Sequence, residues 1–170
     1  PGEGFRYIAE YLYIELLDPK TLQPVPPGTP GVAVYTTLWR KGFPLLRYWS
    51  YDYIVMHTES DEGYAPRFSY LGRPDESIEI NGKRFFALQI DEIIFSYPVG
   101  NEYKLEIRSE GSKDVATLMV EASSPDASLM HSLSEHLSSY LHIRVDIKPV
   151  PPGTINRNYI KPIRLIDQRR

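Results

Sequence analysis

Cysteine is absent from the 170 residues. Its absence excludes disulfide bonds, thiolate zinc sites and a cysteine nucleophile, and it favours a reducing compartment, so we expect a cytoplasmic location. Histidine is scarce: besides His57, the chain has only His131, His136 and His142. Because no two of these histidines stand at the i, i+4 spacing of a helical metal site, we expect no metal ligands.

Long apolar runs are also absent. No segment approaches the roughly 20 apolar residues that a membrane-spanning helix needs, and the opening PGEGFRYIAE has no signal-peptide pattern. The net charge of -3 and the pI near 5.8 give no global attraction to nucleic acid or anionic lipid. Since 42% hydrophobic and 24% charged residues are typical of a folded globular domain, we expect neither nucleic acid nor membrane as a partner.

Strand signals dominate the first part of the chain. YLYIELL (11–17), VAVYTTL (32–38) and DYIVMHT (52–58) combine β-branched and aromatic residues, which predicts three strands. The proline-rich DPKTLQPVPPGTPG (18–31) between the first two predicts a loop and excludes a helix. We therefore expect residues 1–71 to form a β-rich, barrel-like piece of a larger domain.

A Gly-Arg-Pro-Asp break at residues 72–75 separates this part from a different pattern. After it, the sequence predicts a hairpin of SIEI and KRFF with an Asn-Gly turn, a helix over 87–97, a second hairpin of EYKLEIRS and VATLMVEAS, a helix capped by Ser124, and a final strand over 143–150. Residues 76–170 are thus predicted to form a small α+β domain, and the whole chain is of the α+β class.

Three stretches of the sequence occur in a fixed order: TTLWRKGFPLLRYWSYD at 36–52, LGRPDESIEINGKRFFALQIDE at 71–92 and VPPGTINRNYIKPIRLIDQRR at 150–170. Together they resemble the C-terminal part of phenylacetate-CoA ligases and related adenylate-forming enzymes. The residues that match the motifs of that family are Thr36, Thr37, Leu38, Pro44, Leu45, Arg47, Tyr48, Asp52, Gly72, Arg73, Asp75, Gly82, Gln89, Glu92, Lys161, Arg164 and Asp167.

The resemblance implies two nucleotide contacts. Asp52 is expected to accept hydrogen bonds from the ribose hydroxyls of ATP, because an ionised carboxylate only accepts and can take both hydroxyls. Arg73 is expected to lie near the ribose and phosphates, where its fork of donors suits oxygen-rich groups. From the residues alone, the favoured interpretation of Asp52 is an aspartate that caps a turn, and that of Arg73 is an exposed surface arginine.

The resemblance also implies that the C-terminal domain rotates. Asp75 is expected to be the hinge residue in the segment 72–75, with residues 76–170 as a lid on the large domain. Gly82 is expected to let the pantetheine arm of coenzyme A approach the backbone, although an Asn-Gly pair alone indicates only a type I′ turn. Lys161 is expected to be the catalytic residue that stabilises charge on the α-phosphate. Its alternative is a solvated lysine near a frayed terminus.

The function implied is ATP-dependent activation of an acyl or aryl acid. Magnesium is expected to accompany ATP. The expected acceptor is coenzyme A, a carrier protein or an amine. An upstream N-terminal domain with the phosphate loop is expected to complete the site, and this chain alone is expected to be inactive. The alternative is a non-catalytic binding or interaction module with a degenerate fold. Two departures from the family motifs keep it open: Trp49-Ser50-Tyr51 replaces Arg-Thr-Gly before Asp52, and Ile160 replaces glycine before Lys161.

Overall fold

The computed structural model describes residues 4–57, 66–156 and 163–169. The chain divides into two compact units, Pro1–Pro74 and Asp75–Arg170. Each unit has its own sheet and its own cluster of buried apolar side chains. Strands and helices are mixed, so the predicted α+β class is confirmed.

The first unit is a four-stranded antiparallel sheet in the order β1-β2-β3-β4. Its strands are β1 (Leu12–Leu17), β2 (Pro30–Thr37), β3 (Tyr48–Met56) and β4 (Phe68–Gly72). The three predicted strands are confirmed, and the proline-rich segment joins β1 to β2 as a hairpin loop. A small core of Ile14, Leu16, Ala33 and Ile54 lies against this sheet.

The first unit is an open piece of β-sheet and forms no closed barrel within the described ranges. Within the described ranges, β1 pairs only with β2 and β4 pairs only with β3 among the named strands, so the sheet stays open. Four strands are too few to close around a core of side chains, since small barrels need about eight. Among the motif residues, Thr36, Thr37, Tyr48, Asp52 and Gly72 therefore lie on an open sheet.

The second unit combines a hairpin, two helices and a four-stranded sheet in the order β10-β7-β8-β9. Its elements are β5 (Ser77–Ile80), β6 (Lys83–Phe86), α1 (Ala87–Phe95), β7 (Tyr103–Glu110), β8 (Lys113–Glu121), α2 (Ala127–Leu141), β9 (Arg144–Val150) and β10 (Leu165–Asp167). Strand β9 runs parallel to β8, with α2 as the crossover, and β10 runs parallel to β7. Neither helix of the described ranges is long and apolar enough to cross a bilayer.

Helix α2 shows the predicted buried stripe but begins later than expected. Met130, Leu133, Leu137 and Leu141 are buried in the core of the second unit. The predicted cap at Ser124 is wrong, because the cap is Asp126, whose Oδ1 accepts a hydrogen bond from the Leu129 amide at 2.8 Å. A cap must accept from an amide two or three residues ahead, and with the helix starting at Ala127 only residue 126 meets that geometry.

The prediction that β9 is the final strand is also wrong. Strand β10 adds three residues to the sheet beside β7, in the register Leu165 opposite Leu105 and Asp167 opposite Ile107. The backbone amide of Leu105 donates to the Arg164 carbonyl at 2.8 Å, which fixes the chain just before the strand. Such a short strand is half-exposed and has no alternation long enough to detect in sequence.

Candidate active site

Asp52 and Arg73, the two predicted nucleotide ligands, are brought together by neighbouring strands. Asp52 lies in β3 and Arg73 follows the last residue of β4, so the antiparallel pairing places them side by side. Arg73 Nε donates to Asp52 Oδ1 at 2.9 Å. The Asp52 side chain is 21% exposed. One carboxylate oxygen is therefore held by Arg73, and the side chain stays partly accessible.

Two residues that were not predicted as site residues, Ser50 and Tyr35, interact with Asp52. The buried Ser50 hydroxyl donates to the Ala33 carbonyl at 2.7 Å and accepts from the Asp52 amide at 3.0 Å. Tyr35 in β2 is close enough to interact electrostatically with Asp52. Burial and, secondarily, the Asp52 charge raise the pKa of the Tyr35 phenol. The backbone position of Asp52 is thus tied to the neighbouring strand.

The departure Trp49-Ser50-Tyr51 coincides with a bulge in β3. Val32 pairs with Tyr53 and Val34 pairs with Trp49, so residues 50–52 lie opposite the single residue Ala33. Tyr51 has a φ of 64°, the left-handed region that glycine occupies without strain. The tyrosine therefore occupies the position where the family has glycine, in a conformation suited to glycine. Its side chain is 62% exposed and meets Trp49 edge-on at 6.3 Å between ring centroids.

The other residues of the first motif shape the loop between β2 and β3. The Thr37 amide donates to the Leu45 carbonyl, and its Oγ1 accepts from the Leu45 amide, both at 2.9 Å. The Thr36 hydroxyl accepts from the Arg47 amide at 3.0 Å. Arg47 forms a two-point ion pair with Glu15 at 3.0 and 3.1 Å. These motif residues fold the loop back onto the sheet that presents Asp52.

Gly82 forms the tip of the β5–β6 hairpin. Asn81 and Gly82 have φ values of 51° and 76°, as a type I′ turn requires, so the turn prediction is confirmed. A Cβ placed on Gly82 meets no atom within 4 Å, which leaves its surface open. The motif residue Gln89 closes the first turn of α1, since its Oε1 accepts from the Phe86 amide at 3.3 Å.

The predicted hinge contains a glycine with a positive φ and a short 3₁₀ turn. Gly72 has a φ of 129°, and the residues after Arg73 form a single 3₁₀ turn, Pro74–Glu76, with no buried residue. The boundary between the two compact units falls between Pro74 and Asp75. The role of Asp75 as a hinge stays a prediction.

Lys161 and Ile160 lie outside the described residues, but the next motif residue, Arg164, is described. Arg164 Nη1 donates to both oxygens of Asp91 in α1, at 2.8 and 2.7 Å. The Tyr103 hydroxyl donates to Asp91 Oδ1 at 2.6 Å, and burial followed by this hydrogen bond raises the pKa of Tyr103. Across the described ranges, no three side chains of His, Asp or Glu are placed to hold a metal ion.

The comparisons with known proteins decide the family. The model of the AMP-binding enzyme C-terminal domain matches residues 82–169, more than half of the chain. The chain belongs to the AMP-binding enzyme C-terminal domain family. The resemblance inferred from the three motifs is thereby confirmed, and the matched range includes Gly82, Asp91 and Arg164.

Relatives of this AMP-binding C-terminal chain include curated phenylacetate-coenzyme A ligases. That of Thermus thermophilus is 33% identical over 127 residues, which is 72% of this chain and 28% of the ligase. That of Aromatoleum evansii is 27% identical over 172 residues, covering 94% of this chain and 39% of the ligase. A solved 2-hydroxyisobutyryl-CoA ligase, in the postadenylation state with R3-HIB-AMP, superposes with a TM-score of 0.75 at 28% identity, over 94% of this chain and 36% of that one. The chain thus spans less than two fifths of these relatives.

Proposed function

We propose that the complete protein is an ATP-dependent acyl- or aryl-CoA ligase that forms an acyl-adenylate and passes the acyl group to coenzyme A. The observation that supports it most directly is the Asp52–Arg73 pair, in which Arg73 holds one carboxylate oxygen at 2.9 Å and the Asp52 side chain is 21% exposed. A carboxylate in that state accepts from the two vicinal hydroxyls of a ribose. The ligases among the relatives favour catalysis over the alternative of a non-catalytic binding module.

In the first half-reaction, residues of this chain orient the nucleotide and stabilise charge. Asp52 binds the ribose, and Arg73 both fixes the carboxylate and adds positive charge toward the phosphates. A carboxylate oxygen of the acid attacks the α-phosphorus, the bond to the bridging oxygen breaks, and pyrophosphate leaves with that electron pair. Lys161 stabilises the negative charge that builds on the α-phosphate without transferring a proton. Magnesium arrives with ATP, as part of the substrate.

In the second half-reaction, the thiol of coenzyme A gives up its proton to solvent and attacks the acyl carbon. The bond from that carbon to the phosphate oxygen breaks, and AMP leaves with the electron pair. The unit that begins at Asp75 rotates about the 72–75 segment, and Gly82 takes the place of Lys161 beside the adenylate. The open surface around Gly82 supports this role, because the pantetheine arm needs close access to backbone. A carrier protein or an amine is the alternative acceptor, and a cytoplasmic location is part of the proposal.

The decisive experiment separates the two half-reactions in the complete protein. Lys161→Ala should slow adenylate formation by at least about 100-fold, because a preorganised charge partner of the transition state is lost. Transfer from a supplied acyl-adenylate should stay nearly normal, and ATP affinity should change little. Lys148→Ala, which removes an exposed lysine of β9, is the matched control and should change neither step.

Equal losses in both half-reactions for Lys161→Ala would refute the two-pose mechanism. The 170-residue chain tested alone should catalyse no acid-dependent exchange of pyrophosphate into ATP, since the sequence contains no phosphate loop of the kind that cradles ATP. Robust exchange by this chain would show that its residues suffice for the reaction, against the proposal that it supplies only part of the site.

A further inference from the structure

Arg169 joins the β5–β6 hairpin, which has Gly82 at its tip, to the four-stranded sheet of the second unit. Its Nη2 donates to the Glu79 carbonyl in β5, and its Nη1 donates to the Asp114 carboxylate in β8. We propose that Arg169 is a positioning residue for Gly82: it fixes the hairpin against the sheet, and transfer of the acyl group to coenzyme A depends on it. This inference rests on the proposed function, because it takes Gly82 as the residue beside the pantetheine arm. Arg169 itself does not touch the substrate.

The guanidinium of Arg169 bonds three separate strands. Besides the bonds to β5 and β8, Nε and Nη2 donate to the two oxygens of Asp167 in β10, at 2.8 and 2.7 Å. The side chains of Arg169 and Asp114 are only 18% and 21% exposed. An arginine whose planar fork is held by two carboxylates presents its remaining N–H in a fixed direction. The bond to the Glu79 carbonyl therefore ties β5 to a rigid point on the sheet.

The β5–β6 hairpin needs such a tie. Its two strands pair with each other as a two-stranded sheet, separate from the four-stranded one. A hairpin of two short strands is marginal by its own pairing. Its buried residues Ile78, Ile80 and Phe85 pack in the core of the unit, but apolar contacts have no directional preference. The hydrogen bond from Arg169 adds a defined orientation to this packing.

The tip of the hairpin faces open space. A Cβ placed on Gly82 meets no atom within 4 Å, and Asn81 lines an open cavity of about 530 Å³. Lys113 and Asp114, at the start of β8, line the same cavity. The position of the tip is therefore set by the strands that lead to it, where Arg169 binds.

The hairpin carries a displacement at Glu79 to its tip. Glu79 pairs with Arg84, and the next pair, Ile80 with Lys83, closes the turn. Arg84 also donates to the Ser77 hydroxyl at 2.7 Å across the two strands, so the hairpin moves as one piece. A misplacement of about 1 Å beside a reacting centre can cost on the order of 100-fold in rate. Loss of the bond at Glu79 therefore shifts the glycine that the pantetheine arm must pass.

The test variant is Arg169→Gln in the complete protein. It removes the bonds to β5 and β8 while β10 keeps other contacts with the unit. The Gln168 amide donates to the Ile107 carbonyl at 2.8 Å, and Arg164 pairs with Asp91 at 2.7 Å. We therefore expect β10 to stay docked in this variant.

The control variant is Arg108→Gln, the same exchange in the same unit. Arg108 lies in β7 and donates to Thr117 in β8 and to Glu110 in β7. These bonds join strands of the four-stranded sheet and leave the β5–β6 hairpin aside. The control thus measures what the loss of a bonded arginine does to the unit when the hairpin keeps its tie.

We expect Arg169→Gln to lower the kcat of transfer from a supplied acyl-adenylate to coenzyme A by roughly 10- to 100-fold. Adenylate formation and KM for ATP should stay within about twofold of wild type, because Gly82 acts only in the transfer step. Arg108→Gln should stay within about threefold in both steps. Arg169→Lys keeps the charge but not the planar fork, so it should recover little of the loss.

Hydrogen exchange measures the hairpin without any substrate. In Arg169→Gln the amides of β5 and β6 should exchange faster than in wild type. The Leu105 amide, which donates to the Arg164 carbonyl, should keep its wild-type rate and thereby show that β10 is docked. Arg108→Gln should leave the exchange of the hairpin unchanged.

The outcomes separate this inference from the proposed function. Equal losses in both half-reactions, unchanged exchange in the hairpin of Arg169→Gln, or full recovery by Arg169→Lys would overturn the positioning role. If wild type forms acyl-CoA and Arg169→Gln matches it, the ligase function stands and the inference fails. If wild type forms no acyl-CoA with a panel of aryl and acyl acids, the proposed function fails, and the positioning role fails with it.

Discussion

Tyr51 offers a test of whether the bulge in β3 is built for glycine. Its φ of 64° places an aromatic residue in the left-handed region, at the position where related enzymes have glycine before the ribose-binding aspartate. Replacement by glycine should remove the strain, whereas replacement by alanine should keep it, because alanine retains a Cβ. The two variants lose the same aromatic ring and differ only in the conformational free energy of the backbone at position 51.

For Tyr51→Gly, the backbone strain that is relieved nearly offsets the backbone entropy and the ring contact that are lost. For Tyr51→Ala, no strain is relieved and the ring contact is still lost. A left-handed L-residue costs about 1–2 kcal/mol, which glycine recovers, and glycine loses about 0.5–1 kcal/mol in backbone entropy. Both variants lose the edge-on contact with Trp49, about 0.5 kcal/mol for so exposed a pair. Tyr51→Gly should therefore lie within about 0.5 kcal/mol of wild type. Tyr51→Ala should be about 0.5–1 kcal/mol less stable than Tyr51→Gly.

Urea unfolding followed by tryptophan fluorescence measures this difference. Both tryptophans of the chain, Trp39 and Trp49, belong to the first unit, so the signal reports on the sheet that contains the bulge. Tyr48 is the matched control, because it is exposed in the same strand without a positive φ. There the order should reverse, with Tyr48→Ala more stable than Tyr48→Gly. An alanine at position 51 as stable as glycine would refute the strain argument.

Three further predictions concern the site. Asp52→Asn in the complete protein should weaken ATP binding by about 10-fold or more, which equilibrium binding measures. The free energy of unfolding should change by less than about 1 kcal/mol in urea unfolding, because Arg73, the partner of Asp52, is 53% exposed. Gly82→Phe should slow acyl transfer and spare adenylate formation, with Gly82→Asn as the control that tolerates the left-handed turn. Burial raises the pKa of Tyr103, so the folded state favours the neutral phenol. This contribution to the free energy of unfolding is fully present below pH 10 and declines above it. Tyr103→Phe should therefore flatten the loss of stability measured between about pH 9 and 11.

Elements with a long or distinctive local pattern could be predicted from the sequence. The runs that became β1 to β3 are rich in β-branched and aromatic residues. The Asn-Gly pair at 81–82 adopts left-handed backbone that few other residues adopt. Strands β4 and β10 were missed because neither has a long alternating pattern or a turn signal like the Asn-Gly pair that joins the equally short β5 and β6, and β10 takes its conformation from β7, which lies far earlier in the chain. The cap of α2 moved from Ser124 to Asp126 because both residue types cap well, and only the helix start distinguishes them.

Site residues that belong to a sequence motif could be predicted. Site residues whose role depends on a partner brought close by the fold could not. Asp52 and Arg73 were named from their motifs, and the structure places them in contact. Ser50 and Asp91 have no local signature, since a serine in a strand and an aspartate in a helix are common. Their roles follow from the partners that the fold provides, Ala33 for Ser50 and Arg164 for Asp91.

Strand β10 has a consequence for the order in which the second unit folds. The ion pair between Arg164 and Asp91 joins residues 73 positions apart, and β10 follows every other strand of its sheet in the chain. Contacts of such separation form late, after the loops between them have been closed. Until β10 docks, the outer edge of β7 offers unpaired backbone groups to other chains. Mutations that weaken the docking of β10 should therefore raise aggregation during refolding before they lower the equilibrium stability of the sheet.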